Sequence, residues 1–118
     1  VHHGDIPALA WRIEIDGQSI VITGSFNNSK NLVASFAQDA DALVVSHAIP
    51  ENSRGVLRDL YARPSQLGRI ADQAEARMMI LGHRNVRTRG RESLSRNAIE
   101  ENYDGTILFA NDGECWGL

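Results

Sequence analysis

"ALAWRIEIDGQSIVIT", residues 8–23, decides the fold. Leu9, Trp11, Ile13 and Ile15 fall on one side of an alternating pattern, with Arg12 and Glu14 on the other. A period of two predicts a half-buried strand. Asp16-Gly17 follows, a pair that accepts the two positive φ angles of a type I′ turn. "QSIVIT" then returns as a second strand, so the chain opens with a hairpin.

Downstream the pattern changes to strand–helix alternation. Leu32, Val33, Phe36 and Ala37 repeat at helical spacing, with Ser29 as the expected N-cap. "DALVVS" is a short apolar run without alternation, as expected of a strand covered on both faces. "ENSRGVLRDLY" reads as a helix that Gly55 weakens. Pro64 suits a first helical position, and Leu67, Ile70, Ala71 and Ala74 form an apolar stripe behind it. "RMMIL" reads as a buried strand in which Met78 and Met79 fill the core, residues 92–102 as a polar helix, and "TILFA" as a last strand. A hairpin followed by this alternation predicts an α/β fold with a mixed sheet.

Composition narrows the function classes. The 118 residues are 42% hydrophobic, enough for a single domain, residues 1–118, with a buried core. Twelve Lys and Arg against 15 Asp and Glu leave a net charge of −3, so overall charge gives no reason to expect nucleic acid or a membrane surface as partner. Cys115 is the only cysteine, which excludes an intrachain disulfide and a cysteine-rich zinc site. No apolar run approaches the roughly 18 residues that span a bilayer, and no signal-peptide pattern is present, so compartment is not assigned. The opening "VHHGDIPALAW" lacks Met and is what a processed or excised product would show.

Polar residues collect where the expected strands end. Ser25 follows the second strand, His47 the third, His83 the fourth and Asp112 the fifth. Ligands of open α/β sheets bind beyond the carboxyl ends of strands, where loops converge. Taken singly, each residue also has a plain structural reading. His83 has no His or Cys at local metal spacing, and a lone histidine of this kind serves equally as a hydrogen-bonded structural residue. His47 reads the same way, and His2-His3 reads as solvated. Arg84, Arg87, Arg89 and Arg91 fall within a short stretch that is either a solvated loop or an anion contact.

The ordered blocks "HHGDIPALAWRIEIDGQSIVITGS", "ADALVVSHA", "PSQLGRIADQA", "MMILGHR", "RTRGRE" and "YDGTILFANDGEC" together resemble the C-terminal half of metallo-β-lactamase-fold hydrolases, in the branch with ribonuclease Z-like and arylsulfatase-like members. The resemblance implies half of an αββα sandwich and a two-metal, usually zinc, hydrolytic site with a bridging hydroxide. It implies that the family's terminal histidine, which ends a Leu-x-His block, falls on His83. The bridging aspartate falls on Ser25, whose neutral hydroxyl cannot replace an anion between two dications. A histidine that often precedes the Pro-Ser of the next helix falls near Tyr61. His47, Tyr61, Arg84 and Asp112 are the candidate site-lining residues. The signature His-x-His-x-Asp-His belongs to the N-terminal half and is absent from this sequence.

Two functions follow as expectations. The chain is the C-terminal part of a metal-dependent hydrolase, inactive alone, or it is a degenerate, non-catalytic module for binding or assembly. Either half-sandwich exposes a sheet face, so both imply a homo-oligomer or a complementary N-terminal half. They differ in metal content, with zinc weak or absent in this chain alone.

Overall fold

The computed structural model describes residues 1–118. Two short strands come first, β1 (His2–His3) and β2 (Ile6–Pro7), paired antiparallel around Gly4. The hairpin follows as β3 (Trp11–Ile15) and β4 (Gln18–Ile22), in the register Trp11↔Ile22 to Ile15↔Gln18. Asp16 and Gly17 have φ of 51° and 78°, the pair of positive angles that the turn demands. The chain continues through α1 (Val33–Phe36), β5 (Ala42–Ser46), α2 (Val56–Leu60), α3 (Pro64–Gln73), β6 (Met78–Gly82), α4 (Glu92–Glu100) and β7 (Thr106–Phe109). Strands β3 to β7 form one mixed sheet in sequence order. The first pair is antiparallel and the rest are parallel.

Two helices differ from the sequence reading, each for a local reason. Ser29 does not cap α1, whose N-cap is Leu32 without a side-chain bond. Instead Asn27 Oδ1 accepts the Ser29 N–H at 2.9 Å and Asn28 Nδ2 donates to Asn31 Oδ1, so asparagine turn chemistry holds this segment. Gly55 does not weaken a helix interior. It stands before α2 at φ 61°, ψ −146°, a conformation open to glycine alone, and α2 begins only after it.

The helices lie on one side of the sheet. Val21, Leu43, Val45, Met79, Leu81 and Ile107 point toward them and meet Leu67, Ile70, Ala71 and Ala74 of α3 and Ile99 of α4. Gly68 lets α3 touch α4, because a Cβ there would lie 2.5 Å from Ile99 O.

The opposite sheet face is bare at the hairpin, as a half-sandwich implies. Trp11, Ile13 and Ile15 are 63, 41 and 63% exposed, and Leu9 before them is 70% exposed. Their alternation is sound, but no element of this chain covers that end of the sheet. Cover on the central strands comes from the C-terminal segment. Ala110 and Leu118 pack against Ala42, Met78 and Ile80, and Gln18 Nε2 donates to Leu118 O at 3.3 Å. No helix is long and apolar enough to cross a membrane.

Candidate functional site

Parallel register brings the carboxyl ends of β4 to β7 to one rim. Ile22 pairs with Val44, Ser46 with Gly82 and Leu81 with Phe109, so the residues that follow each strand share that edge. Ser25 lies there beside Ser46, with 3.4 Å between the hydroxyls, and Ser46 Oγ donates to Gly24 O at 3.0 Å.

His83 turns out of β6 at φ 53°, a left-handed conformation uncommon for a residue with a Cβ. One more rung of the β6–β7 ladder would direct the His83 N–H to Ala110 O, continuing from the Ala110 N–H that donates to Leu81 O at 2.9 Å, but the ladder stops there. Arg84 Nη2 donates to Ala110 O at 2.7 Å and also to Asn111 Oδ1, while Nη1 donates to Glu92 Oε1 at 2.8 Å. Arg84 is thereby tied into the structure, joining the start of α4 to the end of β7. His83 is left exposed.

Tyr61, in the extended residue after α2, stacks on His83 with 6.4 Å between centroids and 29° between planes. The Tyr61 and His3 rings also meet, in an edge-on arrangement, at 4.8 Å and 65°. His3 was expected in solvent and is half-buried, with Nδ1 2.6 Å from Leu60 O. A carbonyl only accepts, so Nδ1 carries a proton in this contact. Nothing in the "VHHG" stretch announces this, because the partner is 57 residues away. Asp112 is exposed on the turn after β7 and lines, with Gly82, His83, Arg84, Arg89 and Asn111, an open cleft of about 300 Å³.

His47 does not line that cleft. It is 1% exposed, turned toward the helices, with Nε2 2.8 Å from Ser95 Oγ and its ring 5.4 Å from Phe109. Burial pushes its pKa down to about 4; nearby Glu92 opposes this and Arg84 adds to it. Strand parity explains the placement, since residues 43, 45 and 47 face the helices together.

The donor set tests the implied zinc directly. His83 and His3 supply imidazole rings that each pack against Tyr61, and no shared coordination joins their nitrogens to a third ligand. Ser25, on which the resemblance puts the bridging aspartate, presents a neutral hydroxyl, with the Ser46 hydroxyl 3.4 Å away. No three His, Cys, Asp or Glu side chains converge as a metal site, whereas a catalytic zinc takes three protein ligands and an open position. This chain's residues do not by themselves compose such a centre.

Helices on one face of a mixed sheet with a hairpin at its edge are an architecture this chain shares with a protein of metallo-β-lactamase fold. The metallo-β-lactamase fold protein YhfI from Bacillus subtilis superposes with a TM-score of 0.79 at 20% identity, over 98% of this chain and 47% of that one. The chain thus spans about half the length of that solved neighbour. No protein-family profile matches the sequence, and no curated protein matches it either.

Proposed function

We propose that this chain is the C-terminal part of a metal-dependent hydrolase of the ribonuclease Z-like and arylsulfatase-like branch, inactive alone. The observation that supports this best is the shared rim. His83, Tyr61 and Ser25 come from segments far apart in sequence and occupy one edge of a half-sandwich. In this reading His83 supplies the nitrogen this half offers to a metal. The remaining ligands come from a complementary half carrying His-x-His-x-Asp-His, which also covers the bare sheet face. A second copy of the chain is the alternative cover.

A second reading is supported by Ser25 and Ser46, whose hydroxyls suit a site that has lost its metals. There the chain is a non-catalytic binding or assembly module. The two readings separate on metal. Chelator-treated chain, dialysed against zinc, should retain well under one equivalent and turn over no phosphodiester, lactone or sulfate ester. Co-expression with the polypeptide encoded upstream should restore zinc and turnover under the hydrolase reading, and neither under the module reading. Tight zinc in the isolated chain, lost in His83→Ala, would show that this half holds more ligands than proposed.

A further inference from the structure

The loop "RNVRTRG", residues 84–90, is built more firmly than a solvated charge run requires. Thr88 is fully buried, and its hydroxyl donates to His47 O at 2.8 Å. Asn85 Nδ2 donates to Ala48 O at 3.0 Å, and Asn85 Oδ1 accepts the Arg87 N–H at 2.9 Å. The Arg89 N–H donates to Asn85 O at 2.9 Å. Four anchors on one short loop fix where its arginines emerge.

Those arginines are not equivalent. Arg84 is consumed by Glu92, Ala110 and Asn111. Arg87 is exposed and does not line the cleft. Arg89 lines the cleft beside His83 and forms no ion pair with any carboxylate. The main-chain N–H groups of His83 and Arg84 also find no acceptor within the chain. A guanidinium and residues with unpaired amides lining one cleft favour an anion with several acceptor oxygens. Asp112, a carboxylate in the same cleft, opposes that anion and limits its affinity.

We infer that the cleft between the carboxyl ends of β6 and β7 is an oxyanion subsite. Arg89 and the His83 N–H there hold a phosphate, sulfate or carboxylate group of the ligand. As a substrate class for the proposed hydrolase this rests on that reading; as a binding site it stands without it.

The test is a titration of metal-free, EDTA-treated protein at low ionic strength, followed by amide chemical shifts. The probes are inorganic phosphate, phenyl phosphate, phenyl sulfate and benzoate. Saturable shifts should centre on His83 and Arg84. Arg89→Gln, which breaks no side-chain bond of the fold, should weaken binding about tenfold, as expected for one lost charge-assisted hydrogen bond. Asp112→Asn should tighten binding, and Arg87→Gln should leave it unchanged. A phenyl ester that binds more tightly than inorganic phosphate marks a substrate-side subsite, and equal binding marks a site for the free ion. No saturable shift, or equal weakening by Arg87→Gln and Arg89→Gln, overturns the inference. Because no metal is present, that failure would leave the hydrolase reading untouched.

Discussion

His47 makes a quantitative prediction that separates fold from site. Its pKa falls from 6.5 to about 4, chiefly because burial disfavours the imidazolium, and this difference is worth about 3 kcal/mol. As pH drops through 6.5 the unfolded chain takes up this proton first, and the folded chain follows only near 4. Between those values the unfolded state binds more protons, so stability declines as pH falls. The contribution is complete above 6.5 and lost at up to about 1.4 kcal/mol per pH unit. Asp41, held down by the Ser19 N–H, Glu92, held down first by its own N–H, and Glu114, held down by the Asn111 amide, do not confuse this window. Their stabilisation is present above ordinary carboxylate values of 3.8 to 4.5 and lost only as pH falls below them. Urea unfolding at pH 7.5 and pH 5.0 should therefore differ by about 2 kcal/mol, and His47→Gln should remove most of that difference. An equal pH dependence in both proteins would refute the reasoning and return His47 to the list of exposed rim residues.

Two further substitutions probe the packing and the site. Gly68→Ala should destabilise the fold by about 1–3 kcal/mol in urea, because the new Cβ meets the Ile99 backbone and cannot be accommodated by a side-chain shift; unchanged stability would contradict the close approach of α3 to α4. Ser25→Asp alone should produce no turnover of phosphodiester, lactone or sulfate ester, because one carboxylate does not supply the three ligands a catalytic zinc takes. Activity in that single variant would show that the chain holds a complete centre.

The hairpin was legible because its information is local. Alternation sets the two faces, and Asp16-Gly17 permits only a tight turn. The alternation of residues 9–15 could not say what covers the apolar side, since cover is a property of whatever lies across the sheet. His47 and His83 look alike in sequence, each following an apolar strand. They part because parity carries His47 under the sheet, while His83 turns out of β6 at φ 53°. His3 was missed because its place depends on Leu60 and Tyr61, two contacts that no window around "VHHG" contains. Gly55 was seen, but its role reversed. A glycine lowers helix propensity in general, yet at positive φ it marks where a helix starts.

The central claim is that this chain is half of a sandwich whose bare sheet face must be covered. Trp11 and Ile15 are each 63% exposed there, with Ile13 and Ile22 at 41 and 39%. Scaling the burial energy of each side chain by its exposure gives about 6 kcal/mol per protomer, so about 12 kcal/mol when two faces meet. That stands against an association cost of about 4–15 kcal/mol. Multi-angle light scattering of the purified chain at micromolar concentration tests this most directly. The account predicts a species of at least twice the 13.0 kDa chain mass, shifted toward monomer by Trp11→Ala. A compact, non-aggregating 13.0 kDa species would contradict it.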